Sequence, residues 1–290
     1  MRIITIAVLL LAGAAAQAPK HGTDAASSII ERGRDWELLG QGYQLTADST
    51  VDPQGNVYFT DARHNRIYKV DPQGKIALWK QESGGAHGVA FGRDGRLYAG
   101  QHDRKRIVAL SPDGRESVIA EGVQTHHLVT TARHEIYFAD APNHRIWFIG
   151  ASGNRRVVND ALVWPHSLRV SADQSLLAVT DLGTRWVWTF RIQRDGSLAA
   201  GRQFCQLDAA GETAPDAAGL AFDTSGFLYV GTTLGVQVCD LFGRVVAIIE
   251  PPGKEGLSDV FFAGPDLHWL YVADGDRLYR RFVKVRGSAR

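Results

Sequence analysis

The chain has 290 residues, 44% of them hydrophobic and 22% charged, which is the composition of a globular protein long enough for one large domain or two small ones. Its 32 basic and 31 acidic side chains leave a formal charge of +1, so no broad field is available to hold nucleic acid or an anionic membrane. With only two cysteines, a disulfide framework is excluded as the basis of so long a fold.

The first eighteen residues, MRIITIAVLLLAGAAAQA, combine an early Arg, an apolar run from Ile3 to Ala12 and a small-residue end, which reads as a secretory signal cut after Ala16. The apolar run is short for a membrane span, and no cysteine follows it to carry a lipid. The mature chain is therefore expected in a periplasm or outside the cell. An oxidising compartment permits a Cys205–Cys239 disulfide, but two buried free thiols are the plainer reading. Residues 19–34 form a polar lead for which the sequence suggests no packing role. After it, DWELLG (35–40) is an orphan strand.

From there six copies of one unit follow: DPQGNVYFTDARHNRIYKVDPQG, GRDGRLYAGQHDRKRIVALSPDG, TARHEIYFADAPNHRIWFIGASG, SADQSLLAVTDLGTRWVWTFRIQRDG, DTSGFLYVGTTLGVQVCDLFG and AGPDLHWLYVADGDRLYRRF. Each has a short apolar run, a Gly/Asp turn, and further alternating strands separated by polar turns. Repeats of about 40 residues built from four short strands predict an all-β fold, a six-bladed β-propeller over residues 35–283. The sixth copy lacks an obvious fourth strand after DRLYRRF, so the orphan strand is predicted to complete the last blade and close the ring. The fourth copy is longer around CQLDAAGETAPDAAG (205–219), a loop expected to decorate the ring. Residues 284–290 read as a basic, solvated tail.

At the start of the innermost strand, the six copies carry Ala47, His87, His126, His166, Ala218 and Ser258. In a propeller this position lines the central channel at one mouth, so His87, His126 and His166 come from adjacent blades and point at one volume. Three imidazoles are a usual set of ligands for a catalytic zinc or another divalent ion. If they share an ion, their rings approach to about 4 Å and their nitrogens reach a common point at about 2.1 Å. The alternative is that each imidazole hydrogen-bonds nearby backbone. His127 points to the other face of its strand, while His102 and Gln101 lie near the same mouth; these three are assigned to substrate contact, with His102 also a reserve ligand. His64, His134, His144 and His268 fall in turns or at strand ends.

The second strands end at Asp61, Gln101, Asp140, Asp181, Thr232 and Asp274, where a carboxylate can accept the second N–H of a metal-bound imidazole. Asp48, Asp216 and Asp259 are further acids near the mouth, any one of which could serve as general base, and Asp48 and Asp259 are chosen as the catalytic residues.

The phrases STVDPQGNVYFTD, GVAFGRDGRLYAG, LGVQVCDLFGRV and GPDLHWLYVADGDRLYRR resemble the regucalcin and gluconolactonase (senescence marker protein-like) family of six-bladed propellers. The resemblance spans 35–283 and implies a hydrolase that opens sugar lactones at a divalent metal on the channel axis. It also implies changed ligands: Ala47 stands where the family has Glu, His166 where it has Asn, and Ala218 where it has Asp. His126 and His127 replace the polar pair of the third blade. Imidazoles in place of oxygen donors favour zinc or another transition metal over calcium. The site geometry is also analogous to that of the zinc lyase that completes peptide amidation.

The expected function is thus an exported, metal-dependent hydrolase acting on a carbohydrate-derived lactone or similar small ester. His87, His126 and His166 would be the ligands, and a lowered water pKa would supply the nucleophile. A lyase using the same site and a non-catalytic carbohydrate- or protein-binding propeller are the alternatives. The oligomeric state favoured is a monomer, without nucleic-acid or membrane partners.

Overall fold

The computed structural model describes residues 23–44, 46–211 and 216–288; the signal segment 1–18 lies outside them. Short runs of apolar and β-branched residues form the strands, and their burial follows their place in a blade. Second strands such as Val57–Asp61, Leu97–Gln101 and Ile136–Asp140 are buried at every residue, because a neighbouring blade covers each face. Fourth strands such as Ile76–Gln81 and Glu116–Glu121 have a mixed pattern with two exposed residues side by side, as befits the rim.

There are six four-stranded antiparallel sheets. Their first strands are Thr46–Val51, Ala86–Phe91, His127–Thr130, Pro165–Val170, Ala218–Phe222 and Leu257–Ala263. Each packs on the next, and the last packs on the first, so they form a closed ring around a central channel. The fourth strand of the sixth blade is Glu37–Gln41, paired antiparallel with Arg277–Phe282 through Leu38↔Tyr279 and Gln41↔Arg277. The orphan strand thus closes the propeller as predicted, and only short, protected strand edges remain.

Apolar side chains between blades make the core. Val129, Tyr137, Ile146 and Phe148 of the third blade interlock with Leu168, Leu177, Val179 and Phe190 of the fourth. Cys205 and Cys239 are joined by a disulfide. It links the outermost strand of the fourth blade, Leu198–Gln206, to the third strand of the fifth, Gly235–Cys239. Part of the adjoining long loop, 212–215, lies outside the described residues.

Two expectations about the ends need correction. The lead contains a helix, Thr23–Ile29, whose Ala25, Ala26 and buried Ile29 pack in the cluster holding Tyr229, Ile249 and Val283. Trp36 Nε1 also donates to Glu250 O at 2.8 Å. The polar composition of this stretch conceals three apolar residues spaced to share one helical face. Nor is the tail simply solvated: Gly287 bridges Asp223, Ser288 N donates to Phe222 O at 2.8 Å, and both residues are buried.

The first strands of five blades carry a register shift near the mouth, at 46–49, 86–89, 165–168, 218–220 and 257–259. An extra residue there bends the strand and re-aims side chains. Two glycines permit the crowding that results. A Cβ at Gly88 would lie 2.8 Å from Leu128 N, and one at Gly219, whose φ is +74°, would lie 2.3 Å from Val260 N.

Candidate functional site

Because the blades are equivalent, side chains at one strand position meet at one level of the channel. At the mouth, His87, His126 and His166 line a cavity of about 380 Å³ together with Leu182, Ala218, Leu257 and Ser258. His126 is the hub: its ring centroid is 5.9 Å from that of His87, 5.8 Å from that of His102 and 6.2 Å from that of His166. His102 and His87 are 5.1 Å apart. The fold therefore gathers four imidazoles, with the reserve ligand as near to the hub as two of the chosen ones.

His87, His126 and His166 are held neutral by burial. Burial, then the nearby His102 and His126, push His87 down to about 4. Burial, then His127, His126 and His87, push His166 down to about 3. His126 is lowered by burial and by His102. Neutral rings keep a free lone pair, the form a metal ligand needs. His166 Nδ1 lies 3.2 Å from Ser167 Oγ, whereas His126 Nδ1 is buried with no hydrogen-bond partner among the described residues.

The donor set fits a transition metal in its chemistry: several neutral imidazoles and one buried nitrogen without a partner. The rings as they stand do not converge. Two imidazoles on one tetrahedral ion, with metal–N near 2.1 Å, have centroids roughly 5 Å apart, shorter than all three separations from the hub. Among the described residues, no three His, Cys, Asp or Glu side chains are placed to hold an ion together. Convergence requires rotation of the imidazoles about their χ angles.

One level below, the next residues of the same strands tie the blades together. Asp48 Oδ2 accepts Val89 N–H at 2.8 Å, and Ser167 Oγ accepts Gly219 N–H at 2.9 Å. His127 Nδ1 accepts Leu168 N–H at 3.4 Å, and its Nε2 stands 3.2 Å from Asp48 Oδ1. Asp259 accepts the Ser49 hydroxyl from the blade beside it. Asp48 and Asp259 are 3% and 4% exposed and do not line the mouth cavity, so the chosen catalytic residues belong to this girdle. Burial, followed by the neighbouring Asp48 carboxylate, raises Asp259 well above the ordinary carboxyl range.

His127 shares that fate and is not at the mouth. Gln101 is buried, with its amide between Arg106 Nε, at 2.6 Å, and Glu116 Oε1, at 2.9 Å; it does not line the cavity either. Three of the four carboxylates at the ends of second strands serve the preceding loops, and the fourth, Asp140, accepts from Asn143 Nδ2 and Trp147 Nε1. Asp61 accepts Gln44 N–H, Asp181 accepts Val163 and Trp164 N–H, and Asp274 accepts Glu255 N–H. A carboxylate at a strand end faces the loop amides first, which is the ordinary local use of Asp.

Among the described residues, the acids that do line the cavity are Asp216 and Glu255, both exposed to solvent. Glu255 was missed in the sequence. Its signal is position, two residues before the last inner strand, in a loop that enters the mouth.

A family model described as the SMP-30/Gluconolactonase/LRE-like region matches residues 47–275. No curated protein matches the sequence. Among solved structures, a gluconolactonase from Xanthomonas campestris superposes with a TM-score of 0.80 at 20% identity, covering 92% of this chain and 95% of that one. A luciferin-regenerating enzyme gives 0.74 at 19%, covering 89% and 98%. A calcium-binding regucalcin from Agrobacterium tumefaciens gives 0.74 at 15%, covering 89% and 95%. At these identities the superpositions speak for the fold.

Proposed function

The chain belongs to the SMP-30/gluconolactonase/LRE-like family, and from that premise we propose that it is an exported hydrolase opening a small sugar-derived lactone or similar ester, with a divalent metal, at the histidine-lined mouth. The observation that carries this reading is the cavity where imidazoles from adjacent blades meet, with His126 Nδ1 buried and without a partner among the described residues. Support for export comes from the signal-like first eighteen residues and from the Cys205–Cys239 bridge. The gluconolactonase from Xanthomonas campestris supports the substrate class.

In this reading His87, His126 and His166 hold the metal, with His102 able to replace one of them. Zinc or another transition metal suits them better than calcium. When bound, such an ion supplies Lewis-acid polarisation of the ester carbonyl and of an attacking water. Asp216 or Glu255 takes the proton that the water releases and returns it to the departing ring alkoxide. Leu182 and Leu257 give the cavity an apolar wall against which the lactone ring can lie.

The test is a pair of measurements on the purified protein: bound metal, and acid release from a panel of aldonolactones. About one equivalent of a transition metal and saturable hydrolysis, both reduced at least tenfold by His126→Ala, are expected. The imperfect convergence of the rings favours a second reading, a propeller that binds a carbohydrate without turning it over. Lactone binding with no acid release, and no metal after reconstitution, would establish that reading instead.

A further inference from the structure

The channel has a second mouth, and the function proposed above does not use it. The far ends of the inner strands surround a cavity of about 400 Å³ that shares no residue with the histidine mouth. Its walls include Phe91, Phe262, Leu267 and Pro265, and among the described residues three arginines line it: Arg93, Arg169 and Arg286. Arg93 and Arg286 are exposed, while Arg169 is only partly accessible, at the inner end of a channel strand. None of the three side chains has an ion-pair or hydrogen-bond partner among the described residues. The one carboxylate in the lining, Asp52, is occupied by its own turn, accepting from Gln54 N, Asn56 N and Asn56 Nδ2 at 2.7–3.0 Å.

An arginine deep in a protein is costly unless its fork is met by acceptors. Burial disfavours the Arg169 cation, and the Asp259 and Asp48 carboxylates oppose that effect from farther up the channel. Arg169 nonetheless lines the cavity with no hydrogen-bond acceptor for its guanidinium among the described residues. A cavity of this size with apolar walls and a few convergent polar groups is the usual form of a small-molecule site. A planar guanidinium is matched best by a carboxylate, which it can bind through two parallel hydrogen bonds. We propose that this second mouth is a binding site for an organic acid, its carboxylate on Arg169 with Arg93 and Arg286 at the rim, and its apolar body against Phe91, Phe262 and Leu267.

The test is calorimetric titration of the purified protein with 3-phenylpropionate, with the isosteric neutral 3-phenylpropanamide and with inorganic phosphate. Saturable binding of the acid, at least tenfold tighter than the amide, and loss of most of that affinity in Arg169→Met are expected. His126→Ala should bind the acid as the parent does, which separates this site from the histidine mouth and from the function proposed there. Should Arg169→Met fail to fold, the exposed pair Arg93→Ala/Arg286→Ala serves in its place and should weaken binding by about tenfold. Equal binding of acid and amide, or no saturable binding of the acid, would overturn the proposal. So would phosphate binding alone, or an affinity unchanged by the arginine variants.

Discussion

His127 Nε2 stands 3.2 Å from Asp48 Oδ1, and the same imidazole accepts the Leu168 amide proton on Nδ1, so its tautomer is set by two neighbouring blades at once. The pair lies one residue along the strand from the mouth, yet its partners are wholly different from those of His126. Asp259 completes the same girdle, with Arg169 as the nearby cation. Two carboxylates and one guanidinium leave one negative charge in excess when both acids ionise.

From this we expect Asp259→Asn to stabilise the protein at pH 8. The folded state raises the Asp259 pKa, so it holds that proton more tightly than the unfolded chain does. Stability from this group is therefore present below the ordinary value of 3.8 and declines as pH rises above it. The gain in the variant should be about 1 kcal/mol or more at pH 8 and smaller at pH 5. Urea denaturation at the two pH values measures it, and a gain that does not grow with pH would contradict the assignment.

The mouth histidines have the opposite sign. His87 and His166 are lowered from 6.5 to about 4 and about 3, so the unfolded chain binds protons more readily. Their contribution is complete above pH 6.5 and is lost as pH falls toward 4 and below. In the presence of a chelator, the urea midpoint should fall between pH 7 and pH 4. His166→Gln should flatten that slope, and a variant with the parent's slope would count against burial as its cause.

Zinc should raise the melting temperature and calcium should not. At a hundredfold excess over Kd, one site contributes about 2.7 kcal/mol, a shift of several degrees for a chain of this size. Calorimetry of the chelated protein, titrated with either ion, reads this directly. Loss of the zinc shift in both His87→Ala and His126→Ala is expected, whereas a larger response to calcium would point to oxygen ligands.

Removing the disulfide in Cys205→Ala/Cys239→Ala should cost stability without changing the mouth. The bridge closes 34 residues, which in the chain-entropy description is worth about 4 kcal/mol. A melting temperature lowered by roughly 5–10 °C, with zinc affinity unchanged, is the outcome to look for by scanning calorimetry.

The ring was legible because its period is carried by turns, and words such as DPQG and GRDG recur wherever a strand pair must reverse. The matched positions of His87, His126 and His166 followed from the same period. Asp48 and Asp259 were misplaced because a bulge in the inner strand decides which level a residue occupies, and a one-residue offset changes its neighbours. Glu255 and Asp216 belong to loops whose course no repeat encodes. Arg169 carries no repeat word to single it out, and its place on the second cavity comes only from where its strand ends.

The pairing of Glu37 with Arg280, 243 residues apart in the chain, bears on the order of folding. The strand 37–41 leads the propeller in sequence, but its partner comes almost last, so it must wait while the blades between them form. Contacts of such long sequence separation slow a fold, and an unpaired strand in the interim invites association with other chains. Pairing of that first strand with the sixth blade is what turns six separate sheets into a closed ring.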